Sequence, residues 1–312
     1  MRPFRFVVTA GSPRTGGALP GAAWAAMARR AEALGYDGIY VTDHLGRQLS
    51  PIPALAAAAS VTERLRVGSF VFANDFRHPL MLAREAATLD VLSEGRLDLG
   101  IGAGWLTSDY RQLGIAYDSP SVRIDRLVES LDLLDRLFAG ERVDHDGAHY
   151  QLRGARLAPL PVQRPRPRLL IGGGGPRMLR LAATRADIVG LLPQFDERGR
   201  PLVGQGTEGA TRAKADLVRA TAGSRFEELD INVIVFDAGL VGTGAGALAS
   251  ALAAVKGAAV RLIGTPYVLY GTLAGMRELL LRRRERTGIN HYALPAHAME
   301  SMAPLVATMR DI

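Results

Sequence analysis

The sequence predicts an α/β protein built as a single (β/α)8 TIM barrel over residues 1–312, with loop insertions at the C-terminal face. Three observations predict it. Eight short apolar segments recur along the chain, the segments between them are amphipathic at helical spacing, and one apolar segment runs through four glycines into a helix start. Strands joined by helices pair in parallel, because parallel neighbours need crossover connections, and eight of them close a barrel. An open doubly wound sheet is the alternative, and strand count separates the two. A barrel of this kind commonly uses this much chain as one domain.

The expected strands are Phe4–Thr9, Gly38–Thr42, Arg66–Phe72, Leu97–Ile101, Arg168–Gly172, Ile188–Leu192, Ile231–Phe236 and His291–Leu294. After the first, Trp24, Met27, Ala28, Ala31 and Leu34 form the apolar face of a helix. Between the fourth and fifth, Ile124, Leu127, Val128, Leu131, Leu134 and Leu137 make a second stripe. Opposite it lie Arg123, Asp125, Arg126, Glu129, Asp132, Asp135 and Arg136, a solvated face. Two stretches read as long irregular loops. They are Gly140 to Pro167, with four prolines from Pro159 on, and Pro193 to Gly206. Barrel enzymes keep active-site loops at strand ends.

Composition narrows the function classes. Apolar residues make up 48% of the chain, enough for a large core. No run of about 18 apolar residues occurs, so no transmembrane helix is expected. The N-terminal apolar stretch is too short for a secretory signal, and a cytoplasmic location is expected. The absence of cysteine excludes disulfides, thiolate metal sites and cysteine nucleophiles. The net charge is +7, and 36 of the 38 basic residues are arginine, lysine occurring only at Lys214 and Lys256. These arginines are interspersed with acids, so an anionic small molecule is the expected partner rather than nucleic acid.

The fifth strand ends in Gly172-Gly173-Gly174-Gly175-Pro176. The glycines let backbone approach a ligand closely, and Pro176 suits the first turn of a helix. Strand, glycine turn and helix N-terminus together make a phosphate site, with free N–H groups and the positive end of the dipole facing the anion. The second strand ends in Asp43-His44, a pair suited to proton handling or to polar contact with a cofactor ring. In Gly100-Ile101-Gly102-Ala103-Gly104-Trp105, Gly102 and Gly104 thin the fourth strand end where a planar group could lie close, or where a neighbouring element packs. His145 and His149, in an Asp/His cluster, invite a metal reading. They sit far from any strand end and Asp146-Gly147 marks a turn, so no metal is expected. Ser12 and Ser69 lack a nucleophile setting.

These segments, in this order, resemble the bacterial luciferase-like oxidoreductases, in particular the branch that uses the deazaflavin coenzyme F420. The resemblance is carried by Gly35-Tyr36-Asp37-Gly38 leading to Asp43-His44, and by Gly68 to Val71 followed by Phe76-Arg77-His78-Pro79. It continues through Ser93-Glu94-Gly95-Arg96 leading into Gly100 to Trp105, and through Ile171 to Pro176 leading into Ala186-Asp187. It implies a hydride transfer between deazaflavin C5 and a small organic substrate with an activated C=C, C=N or C=O bond, or the matching alcohol. His44 would exchange the proton, with Asp43 positioning the ring or the histidine. Ser69, Phe70, Val71 and Ala73 would lie against the cofactor, with Phe70 and Val71 buttressing its ring across a cis peptide. Gly102 and Gly104 would complete the ring site, and Gly172, Gly173, Gly174 and Gly175 would hold the phosphate. The same fold with FMN would be a monooxygenase supplied with FMNH2 by a reductase. A non-catalytic barrel that binds a phosphorylated ligand is the alternative from another class. A homodimer is implied. Trp105 stands where sugar-phosphate dehydrogenases of the branch carry a catalytic glutamate, so a sugar phosphate is not expected as substrate. The apolar stretch Tyr267–Leu273 after Gly264-Thr265-Pro266 is a second departure, compatible with an altered substrate entry or a subunit contact.

Overall fold

Eight parallel strands close on themselves. They are β1 (Arg5–Ala10), β2 (Gly38–Val41), β3 (Arg66–Ser69), β4 (Leu97–Gly102), β5 (Arg168–Gly173), β6 (Ile188–Leu191), β7 (Asp230–Ile234) and β8 (Ile289–Pro295). Each pairs with the next in sequence, and β8 returns to β1. The structure is a computed structural model and describes residues 2–10, 20–196, 200–242, 246–253, 255, 260, 262–310 and 312. Ser12 and Lys256 lie outside the described residues. Every expected strand is present to within two residues at each end, except the third. It breaks after Ser69 and resumes as a two-residue strand, Phe72–Ala73, paired with Ile101–Gly102. The Phe70–Val71 peptide between the two pieces is cis, as the resemblance implied.

The helices are α1 (Gly21–Ala33), α2 (Pro51–Ala59), α3 (Pro79–Leu92), α4 (Thr107–Leu113), α5 (Pro120–Phe138), α6 (Pro176–Arg185), α7 (Glu208–Ala222), α8 (Ala247–Ala253), α9 (Leu273–Thr287) and α10 (Met299–Met309). Proline opens α2, α3, α5 and α6, where its missing N–H costs no helical bond. Ser119 caps α5 and Thr207 caps α7, each by accepting from the backbone N–H three residues on. The two expected stripes are buried: Trp24, Ala28 and Ala31 on α1, and Leu127, Leu131, Leu134 and Leu137 on α5. They belong to the large core between barrel and helices. A smaller core fills the barrel itself, built from Val7, Tyr40, Phe70, Leu170, Ile188 and Ala293.

Two regions differ from the sequence reading. The stretch from Gly140 contains an antiparallel hairpin, Val143–Asp146 with Gln151–Ala155. Its turn is braced by Glu129 of α5, which accepts from the His149 and Tyr150 N–H groups and binds His145 Nε2 at 2.9 Å. The Asp/His cluster is thus organised by a helix carboxylate. The Tyr267–Leu273 stretch packs inward instead of forming an exposed contact surface. Tyr267, Val268 and Leu269 are buried, and Val268–Gly271 pairs in parallel with Asp237–Leu240.

The barrel floor carries charge. Asp98 at the start of β4 receives a hydrogen bond from Tyr40 Oη (2.6 Å) and an ion pair from Arg66 (2.7 Å). Asp230 at the start of β7 is held by Arg168, by Arg2 (2.8 Å) and by Asn290 Nδ2 (2.8 Å). Between them sits His291, fully enclosed, edge-on to Tyr40 at 5.9 Å. Burial pushes its imidazolium down to about 4, against the pull of Asp230 and Asp98. The unfolded chain therefore takes up a proton near pH 6.5 that the folded chain refuses until about pH 4. Stability is fully present above pH 6.5 and falls through this window, by about 2 kcal/mol between pH 6.5 and 5. In denaturant titrations at those two pH values, His291→Gln is expected to lose that part of the difference. An unchanged pH slope in the variant would assign acid sensitivity elsewhere.

Candidate active site at the barrel mouth

The C-terminal strand ends gather the expected residues. His44 follows β2 and is partly exposed. Its Nδ1 lies 2.7 Å from Asp109 Oδ2 on α4, and Asp109 is buried. A carboxylate can only accept, so Nδ1 carries the proton and Nε2 is left for exchange. Asp109 also accepts from the Leu45 N–H at 3.4 Å, which fixes the loop that carries the histidine. Asp43 was expected to position the cofactor ring or the histidine; the carboxylate in contact with the imidazole is that of Asp109. Asp43 is drawn instead into a bidentate pair with Arg77 (2.6 and 3.1 Å) and accepts from the Ala73 N–H at 3.1 Å. It ties the end of β2 to the Phe72–Ala73 strand.

The third strand end is built by side chains rather than left open. Ser69 is fully buried, and its Oγ both donates to the Gly100 carbonyl (2.7 Å) and accepts from the Gly100 N–H (2.9 Å), which commits its only donor to the neighbouring strand. Phe70 points down against Tyr40 at 5.8 Å and belongs to the barrel interior, while Val71 is half-buried at the rim. The space freed by the β4 glycines is taken by protein atoms. A Cβ at Gly102 would lie 2.9 Å from Val71 Cγ2, and one at Gly104 would collide with the Tyr110 hydroxyl. Neighbouring side chains thus pack close against both glycines, and the φ of +72° at Gly104 favours glycine independently.

At the end of β5 the glycine turn leads directly into α6, with Gly175 as its N-cap and Pro176 in its first turn. The N–H groups of Gly174 and Gly175 have no acceptor among the described residues. Gly174 is pressed against the β6 loop: a Cβ there would stand 2.7 Å from the Leu192 carbonyl oxygen. That carbonyl accepts from Lys214 Nζ at 2.9 Å, and Lys214 also donates to the Gln205 carbonyl. Burial among these groups lowers the Lys214 ammonium to about 8. Lys214 thus fastens the loop after β6 beneath the turn.

Across the mouth runs a series of rings. His44 meets Trp105 edge-on at 5.7 Å, Trp105 stacks on Phe195 at 5.0 Å, and Phe195 meets Phe236 edge-on at 6.2 Å. Phe195 escaped the sequence reading because it lies in the stretch taken as an irregular loop. Asp109 escaped it because 65 residues separate it from His44. An acidic residue in the first turn of the helix after the β4 glycines was the available signal.

Comparison with known proteins agrees with this architecture. The model of the luciferase-like monooxygenase family matches residues 1–236. An F420-dependent glucose-6-phosphate dehydrogenase of Microbacterium testaceum is 32% identical over 200 residues, covering 60% of this chain and 59% of that protein. The chain thus spans about three-fifths of the length of that relative. A 4-hydroxyprotoasukamycin monooxygenase of Streptomyces nodosus subsp. asukaensis is 38% identical over 149 residues, 44% of this chain and 39% of that protein. Among solved structures, an F420-dependent secondary alcohol dehydrogenase in complex with an F420–acetone adduct superposes with a TM-score of 0.78 at 16% identity, over 99% of this chain and 100% of that one. Among the described residues no helix is long and apolar enough to cross a membrane. With the family model covering most of its length and the barrel closing as that family's does, the chain belongs to the luciferase-like monooxygenase family.

Proposed function

We propose that this chain is an oxidoreductase that uses coenzyme F420 and acts on a small organic molecule. The observation that carries the reading is the His44–Asp109 pair, at the same barrel mouth as a glycine turn with unpartnered N–H groups. The residues fit the cofactor. Gly174 and Gly175 would receive its phosphate at the α6 N-terminus, and Val71 would form the floor under its ring. When bound, the deazaflavin supplies two-electron hydride chemistry at C5. The protein's own part is orientation and proton exchange. His44 holds its Nε2 proton site at the mouth, and Asp109 fixes the tautomer and steadies the imidazolium. Asp43 acts indirectly, holding Ala73 and Arg77 so that the third strand end keeps its shape. F420 is preferred because similarity to an F420-dependent dehydrogenase extends over 60% of the chain. The monooxygenase relative supports a second reading with FMN. The two separate on oxygen: F420-dependent turnover with an acceptor proceeds anaerobically, and monooxygenation does not.

Gly175 offers the cleaner test of the phosphate site. Its φ of −91° suits any residue, and a Cβ there would meet nothing closer than Gln194 Nε2 at 3.6 Å. Aspartate is a favoured N-cap whose carboxylate would occupy the helix N–H groups and repel a phosphate. Gly175→Asp is expected to melt at or above the wild-type temperature and to bind F420 at least about tenfold more weakly. Equal F420 affinity in a folded variant would remove the phosphate from this turn.

A further inference from the structure

We propose that the substrate is a planar, uncharged, conjugated molecule that stacks along the Trp105–Phe195 wall with its polar end at His44. The inference rests on the oxidoreductase reading and names the substrate class of that site. Trp105 is 40% exposed, although its backbone is pinned by Tyr117 Oη, which donates to its carbonyl at 2.9 Å. An exposed indole that forms part of a contiguous apolar patch at the barrel mouth is the kind of surface that marks a ligand groove. It is continuous with Phe195, which stacks on it at 29° between planes, and with Phe236 beyond. Exposed Leu45 and Leu202 flank the two ends. Leu45 follows His44, and the Leu202 N–H donates to the Gln194 carbonyl beside Phe195. Flat rings gain most from offset or edge contacts with such a wall. Since His44 touches Trp105 edge-on, a ligand lying along the wall brings its far end to the imidazole. Arg77 is engaged with Asp43 and Lys214 with two carbonyls, so neither is free to meet an anionic substrate. Arg47, exposed three residues after His44, is the group an anionic substrate would use.

The test uses 2-naphthol as a flat neutral probe and glucose 6-phosphate as an anionic one. Each is titrated calorimetrically into wild type, Trp105→Ala and Trp105→Phe, all saturated with the cofactor they bind. Intrinsic fluorescence locates the probe, because the only other tryptophan, Trp24, is buried. The proposal expects 2-naphthol to bind wild type and quench its emission. Trp105→Ala should bind it on the order of tenfold more weakly, and Trp105→Phe within about threefold of wild type but without the quench. Glucose 6-phosphate should give no heat. Equal naphthol affinity in all three proteins, equal loss in both variants, or binding of glucose 6-phosphate alone overturns it. Cofactor binding is read in a separate titration. Its failure would defeat the oxidoreductase reading, while the naphthol series on unliganded protein would still decide the wall.

Discussion

His44→Ala is expected to lower turnover at saturating substrate by roughly 10²–10⁴-fold, the usual scale of acid–base catalysis. F420 affinity should change much less, because the proposed phosphate contacts come from the turn after β5 and the proposed ring contact, Val71, from the segment after β3. Asp109→Asn should fall between wild type and His44→Ala. An amide can still contact Nδ1, but it no longer enforces the tautomer or steadies the imidazolium. That intermediate loss distinguishes a positioned proton carrier from a loop anchor. If His44 merely ordered its loop, His44→Ala would lower melting temperature and affinity together and leave saturated turnover intact. Steady-state kinetics across pH 5 to 9, beside thermal melts, separates these outcomes.

The largest stability effect is expected at the opposite end of the barrel. Burial alone would push the Asp98 carboxyl up, but the guanidiniums of Arg66 and Arg168 and the Tyr40 hydroxyl outweigh it and hold the group below the usual carboxylate range. A carboxyl depressed in the folded state contributes stability that is present above its unfolded pKa and lost as pH falls through the folded value. Asp98→Ala strips Tyr40 of its acceptor and Arg66 of its ion-pair partner inside the floor. Removing one member of such a buried set costs about 3–5 kcal/mol. Asp98→Asn, which keeps an acceptor for Tyr40, should cost less. Both are read as denaturant midpoints at pH 7. A loss below about 1 kcal/mol for Asp98→Ala would mean the floor charges are solvated well enough to dispense with one another. Since the floor is remote from the mouth, folded variants should keep their cofactor affinity.

The barrel was legible because its strands are short apolar runs set apart by amphipathic helices, and closure follows from counting them. The third strand shows where that pattern fails. Arg66 to Phe72 reads as one strand, yet the Ser69 hydroxyl bonds both backbone groups of Gly100 and pairing with β4 does not resume until Phe72. Nothing in apolar periodicity reports a side chain competing for a neighbouring strand's backbone. The hairpin at Val143–Asp146 was hidden for another reason: only Val143 of its first strand is buried, so alternation carries almost no apolar signal. At the site, His44 and the glycine turn were visible as local chemistry at strand ends. Their partners were not. Asp109, Phe195 and Lys214 reach the mouth through the tertiary fold, from a helix, a loop and a second helix, and adjacency across the barrel leaves no trace in sequence spacing.

Whether this barrel mouth is built for a deazaflavin is decided by titrating the purified chain with oxidised F420 and with FMN under identical conditions. F420 is expected to bind saturably, at least about tenfold more tightly than FMN. FMN binding the tighter of the two, or neither binding, would contradict it.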